Sequence, residues 1–261
     1  MKRNACAIAI IILLTLAFPA ESNAFESASR ASALKADAAM LKSDYNHFYL
    51  NTENLLMLGA GLVASGAIAN TRLDREVKDY YQVNIRNNFT NRLSEATKLP
   101  GDFYIAIPAL LATRLFYPET IAGEWAGRSL RAFFTGGPMG LFLQYSTGAS
   151  RPREGDSDWR PFSGNNGLSG HAFIGAIPFI TAANMTDNPY QKALFYGLSA
   201  MPALSRINDD EHYASQALLG WYLAYLSTNA VKKTGFKKDI AFRVIPVTSD
   251  GYAMVVVTGL Y

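Results

Sequence analysis

The strongest constraint on this chain is a series of apolar segments, each longer than a usual strand and each cut off by loop formers. Residues 55–69, 103–116, 130–145, 172–183, 193–204 and 217–226 are bounded mostly by Gly, Pro, Asn or Asp. Several are rich in Ala and Leu, which favours helix over strand. Ahead of them, residues 31–45 alternate apolar and charged side chains at helical spacing, which predicts an amphipathic first helix. The fold class read from this pattern is all-α, a compact helical bundle over residues 25–235. With 261 residues and no low-complexity linker, the chain is long enough to bury a sizeable core.

Residues 1–24 stand apart. Lys2 and Arg3 precede an apolar run from Ala5 to Phe18, and Ser22-Asn23-Ala24 supplies small residues at a cleavage site. That order predicts a signal peptide cut after Ala24 and export to the periplasm. The formal charge then falls from +3 to +2, because Lys2, Arg3 and Glu21 leave together. So small an excess, with no basic run, excludes nucleic acid as the expected partner. Cys6, the single cysteine, leaves with the same segment, so no disulfide is expected in the mature chain. The remaining apolar runs are about 10 to 16 residues, short of the ~18 of a membrane span. A soluble or peripherally bound protein is therefore expected, with membrane contact through the first helix or the tail.

The tail changes character. "AFRVIPVT" and "YAMVVVTGLY" are β-branched runs around a turn, which predicts a C-terminal β-hairpin extension over 236–261. A lone hairpin is marginal in water, so this one must dock on something.

Chemistry-bearing residues fall in three places. "LQYSTGASRP" runs from Leu143 to Arg151-Pro152, "LSGH" spans Leu168 to His171, and "SRINDDEHYASQ" runs from Ser205 to Gln216. The middle stretch passes from loop formers through Ser169-Gly170-His171 straight into an apolar segment. Free amides and the dipole make such a helix start a ready anion site.

In this order the three stretches resemble the type 2 phosphatidic acid phosphatases, together with the bacterial acid phosphatases and vanadium haloperoxidases. That superfamily carries Lys-six residues-Arg-Pro, Pro-Ser-Gly-His, and Ser-Arg-five residues-His-three residues-Asp. The resemblance covers residues 130–226, the motif core of the helical domain. It implies that Arg151, Arg206, Ser169 and Gly170 bind phosphate, that His212 is the nucleophile, and that His171 is the general acid. Arginine forks suit a phosphoryl group geometrically, and imidazole suits both proton and nucleophile work near neutral pH.

Three positions depart from the pattern. Gln144 stands where the family has lysine, Leu168 where it has proline, and Gln216 where it has the aspartate that orients the nucleophilic histidine. At i,i+4 on a helix, Gln216 shares a face with His212, so its carbonyl can still accept from Nδ1. A second register of the first motif exists, with six residues between Arg153 and Arg160-Pro161.

The expected function is a metal-independent phosphomonoesterase working through a phosphohistidine on a lipid phosphate or small phosphoester. Neither a cofactor nor a metal is expected, since no ligand cluster shows metal spacing. The alternatives are a non-catalytic phosphate-binding relative and a vanadate-dependent haloperoxidase. Elsewhere the expected roles are plain: "DWRPF" at 158–162 as a packed loop, Asp209 to Glu211 as a solvated acidic loop, and His47 as a surface or packing residue. Gly59, Gly61 and Gly66 follow no strand, so they are read as helix packing and not as a dinucleotide loop.

Overall fold

A computed structural model describes residues 24–235, with side chains from Ser29 onward, and the strand backbone of two C-terminal segments. The expected signal peptide at 1–24 lies outside the described residues except for Ala24. The helices are α1 (Ala24–Tyr49), α2 (Thr52–Ala69), α3 (Leu73–Tyr80), α4 (Asn88–Thr97), α5 (Phe103–Phe116), α6 (Ile121–Thr147), α7 (Gly170–Asn184), α8 (Pro189–Asn208) and α9 (Ala214–Thr234). A π turn at Tyr81–Ile85 follows α3, and a 3₁₀ turn at Leu99–Gly101 precedes α5. Up to Gly235 the described fold is all-α. Ala241–Ser249 and Tyr252–Leu260 have strand backbone. Their side chains and the turn between them, and so the packing of the expected hairpin, lie outside the described residues.

Helix boundaries follow the local chemistry. Asn51 accepts from Asn54 N at 3.0 Å, Asp102 from Tyr104 N at 2.8 Å and Thr120 from Gly123 N at 3.1 Å, so each side chain satisfies an amide that a helix start leaves free. Pro189 at the first position of α8 needs no such partner. α6 stops at Gly148, whose φ of 61° is left-handed backbone that glycine adopts without strain.

α7 sits at the centre, packed on α8 and α9, while α6 packs on α5, α7 and α9. Phe48, Leu168, Ile177, Ile180, Leu223 and Leu226 are among the apolar side chains closing the core. Gly61 packs on the Tyr222 ring and Gly66 on Trp159, as expected for close helix contacts.

α1 is a working member of the bundle. Arg131 of α6 grips Asp44 with two bonds, Nε to Oδ2 at 2.7 Å and Nη2 to Oδ1 at 2.6 Å, with both side chains buried. Thr234, at the end of α9, donates to the same carboxylate. Arg114 of α5 reaches Asp37 at 2.6 Å. The arginines that interrupt the apolar runs therefore fix α1 to α5, α6 and α9.

One helix extends beyond its apolar run. α2 reaches 18 residues and is apolar enough to cross a membrane, and only Asn54, Leu58, Ser65 and Ala69 are buried in it. The helix starts before its apolar run does. Asn51 caps it, so the polar turn of Thr52, Glu53 and Asn54 is added ahead of Leu55. The pair Asn88–Gly101 and Phe103–Phe116 passes the same test jointly but is bent by 55°.

Removing one partner of a buried pair strands the other charge. Asp44→Ala should therefore cost about 3–5 kcal/mol of unfolding free energy. Glu53→Ala, which breaks the exposed pair with Lys233, should cost less than about 1 kcal/mol. Denaturant titration followed by circular dichroism compares the two. Equal, small losses would show that the Arg131–Asp44 pair does not lock α1 in place.

Candidate active site

The start of α7 forms one wall. Ser169 caps the helix, its hydroxyl accepting from Ala172 N at 3.3 Å, while its own amide donates to Gln216 O at 3.0 Å. The first-turn amides beyond it have no carbonyl one turn earlier in the helix. Gln144 comes from α6, and its Nε2 donates to Leu168 O at 3.2 Å. The same nitrogen lies 3.4 Å from where a Cβ on Gly170 would stand, so Gln144 borders the Ser169-Gly170 turn. α9 approaches from the other side. A Cβ on Gly220 would collide with the Ser169 carbonyl oxygen, so only glycine permits this crossing.

The turn between α8 and α9 brings Arg206 and His212 together. The amides of Glu211 and His212 both donate to Arg206 O, at 3.0 and 3.2 Å. Asp210 takes a left-handed φ of 57° to make this reversal. His212 is buried, and its Nδ1 lies 2.8 Å from Gln216 Oε1. The amide orientation of Gln216 is set by its other bonds: Oε1 also accepts from Tyr213 N at 3.2 Å, and Nε2 donates to Ser150 O at 2.8 Å. Flipping the amide would oppose two donors at one end and two acceptors at the other. Nδ1 must then carry the hydrogen, leaving the Nε2 lone pair free.

The start of α9 is held from a distance. Asp74 of α3 accepts from Ser215 N at 3.0 Å and from the Ser215 hydroxyl. A carboxylate there suits the positive end of the helix.

Arginines surround this turn. Arg151 donates through Nε to Asn166 at 2.9 Å and through Nη1 to Glu211 at 2.8 Å. Arg153 reaches the other oxygen of Glu211 at 2.9 Å and the Asp209 carbonyl at 2.9 Å. Arg206 lies 3.6 Å from Glu211, and its buried Nε finds no hydrogen-bond partner among the described residues.

Burial and the neighbouring arginines push both histidines toward the neutral form. Burial, reinforced by Arg206 and Arg151, pushes His212 down to about 3 against the upward pull of the Gln216 bond. Burial and Arg206 lower His171, with Asp102 and Glu211 opposing. Burial also lowers Arg206. The field felt by each histidine comes from the same guanidiniums, which puts all four groups in one electrostatic neighbourhood.

The structure thus gathers Gln144, Arg151, Ser169, Gly170, His171, Arg206, His212 and Gln216. Of the two registers of the first motif, the one ending at Arg151 leads here, because Arg160 pairs instead with Asp156 at 2.7 Å. Trp159 packs on Gly66 and donates its amide to Asn70, a packed loop as expected. Among the described residues, His47 bonds its own helix, at Ser43 O. The acidic loop needs correction: Glu211 pairs with three arginines, and Asp209 accepts from the buried Ser94 hydroxyl at 2.6 Å. Asn166, Ser150 and Asp74 were not foreseen. Asp74 lies 141 positions from Ser215, and no local pattern announces it. Among the described residues, no group of three or more His, Asp, Glu or Cys is placed to hold a metal.

Comparison with known proteins places a match on the same segment. The model of the PAP2 superfamily matches residues 133–240, which takes in all three motif stretches. No curated protein and no solved structure matches the chain. Over residues 133–240 this chain is similar to the PAP2 superfamily, that of the type 2 phosphatidic acid phosphatases.

Proposed function

We propose that this protein is a metal-independent phosphomonoesterase that forms a phosphohistidine on His212 and acts on a lipid phosphate or a small phosphoester. The match to the PAP2 superfamily over residues 133–240 supports phosphatase-type activity in general terms. The observation that carries the finer reading is the single fixed tautomer of His212, whose free Nε2 belongs to a neutral, buried ring beside two arginines.

In this mechanism Arg151 and Arg206 take the equatorial phosphoryl oxygens, with Ser169 and the Gly170 amide adding donors from the α7 turn. Nε2 of His212 forms the bond to phosphorus as the ester P–O bond breaks. His171 gives its proton to the departing alkoxide, then removes one from the water that cleaves the P–N bond. The phosphorylated ring is cationic while Nδ1 keeps its hydrogen. Gln216 holds that hydrogen but brings no negative charge, so the intermediate relies on the phosphoryl group itself for neutralisation. A bound dianion also reverses the field at His171, favouring the protonated ring that the arginines disfavour in the free site.

The place of action is proposed to be the periplasmic side of a membrane, after signal-peptide removal. The exposed apolar faces of α2 and of the bent pair formed by α4 and α5 support membrane association. The C-terminal hairpin is proposed as a further contact, its two apolar runs being too weak to stand alone.

The assay is phosphate release from a panel of esters by detergent-purified protein, with and without a chelator. His212→Ala should abolish release while leaving the melting transition in place. Release that survives this substitution would remove His212 as nucleophile, and release lost to the chelator would end the metal-independent reading.

The pH profile gives a second check. The free enzyme needs neutral His212, available above about 3, and protonated His171, available only below a value lowered from 6.5. kcat/KM should therefore peak on the acid side of 6.5 and fall as pH rises. His171→Gln should lower kcat by roughly 10²–10⁴-fold and flatten the alkaline fall. A wild-type profile that keeps climbing above neutrality would exclude His171 as the acid.

A further inference from the structure

Glu211 stands among the cations that the proposed mechanism assigns to the phosphoryl group. Its Oε2 accepts from Arg151 at 2.8 Å and lies 3.6 Å from Arg206, while its Oε1 pairs with Arg153 at 2.9 Å. A carboxylate and one face of a phosphoryl group offer guanidinium forks the same pair of oxygens. An ester that engages both Arg151 and Arg206 must therefore compete with Glu211. Resting on that phosphatase reading, we propose that Glu211 is a resident anion of the phosphate subsite, displaced by the incoming phosphomonoester, and that Arg153 is the subsite's third cation.

Four features support the exchange. The backbone amide of Glu211 is anchored on Arg206 O, so the side chain can leave while the turn keeps its shape. Its side chain is 21% exposed, which leaves solvent to swing into. Arg206 Nε is buried and has no hydrogen-bond partner among the described residues, so the carboxylate does not saturate the donors. Gln144, bordering Gly170, brings no charge, and Arg153 supplies one from the loop that also carries Arg151.

The device selects by charge. A phosphomonoester carries about −1.5 to −2 at neutral pH, against −1 for a carboxylate or a phosphodiester. Only the monoester offers the three cations more than they already have. Glu211 therefore lowers affinity by the same factor for every anion that must displace it, and a monoanion, which brings no more charge than the carboxylate it replaces, is left with little net gain.

Calorimetric titration with inorganic phosphate and with vanadate tests this on wild type, Glu211→Gln, Arg153→Gln and the double variant, each with a melting curve. Glu211→Gln should bind both anions on the order of tenfold more tightly, and Glu211→Asp, which draws the charge back by one methylene, should move the same way. Arg153→Gln should weaken binding, and should do so in the Glu211→Gln background as well. Unchanged or weaker binding by the two Glu211 variants would mean that the carboxylate organises the arginines instead of competing, and would overturn the proposal. An Arg153 effect that vanishes in the double variant would overturn its role as third cation. If neither wild type nor Glu211→Gln binds either anion, the phosphate site of the proposed function fails too. A wild type that hydrolyses esters while Glu211→Gln gains no affinity fails this inference alone.

Discussion

The site depends on one buried amide. Gln216 touches each of the three segments: its Oε1 takes His212 and Tyr213 N, its Nε2 holds Ser150 O beside Arg151, and its carbonyl receives Ser169 N. All four bonds form in a fully buried position, where an unpaired polar group is expensive, so each constrains the others. The loop carrying Arg151, the cap carrying the Ser169-Gly170 turn and the turn carrying His212 are thereby set in mutual register. The start of α9 is part of this device, since the glutamine that accepts from Tyr213 N also selects the histidine tautomer.

Neutral imidazoles beside guanidiniums follow from the same arrangement. Burial disfavours the charged ring, and Arg206 and Arg151 add repulsion, so His212 stays unprotonated without a carboxylate to hold it. A nucleophile needs that state. Glu211 offsets the positive charge of Arg151, Arg153 and Arg206, so the three arginines can remain clustered. In the proposed function, a dianion entering this set of arginines, carboxylate and imidazoles is what changes its charge most.

Much of this was legible in the sequence, and the limits have physical causes. α5 spans the very segment its apolar run predicts, and α6 to α9 each contain theirs, because periodicity and loop formers act within a few residues. The motif residues converge because their order encodes one loop, one helix start and one turn. α2 is longer than its apolar run: its first turn is polar, and a capping asparagine rather than hydrophobicity sets where it begins. Asp74 was invisible, since a carboxylate on α3 gains its meaning only when tertiary packing delivers it to α9. Glu211 looked like a solvated loop residue because charge pairing across Arg151, Arg153 and Arg206 has no periodicity to read.

The two glutamines are best understood together. Relative to the superfamily pattern, Gln144 removes a positive charge and Gln216 removes a negative one, so the pair leaves the site's formal charge unaltered. Each amide then does what a charged group does less cheaply in a partly or fully buried place: Gln144 ties down Leu168 O, and Gln216 ties down Ser150 O. An aspartate at 216 would have no hydrogen to give Ser150 O, so the carbonyl beside Arg151 would lose its partner. A lysine at 144 would add a cation near Gly170 while Arg153 already serves Glu211. Restoring either charged residue alone therefore changes the site's formal charge by one, whereas restoring both leaves it as it is.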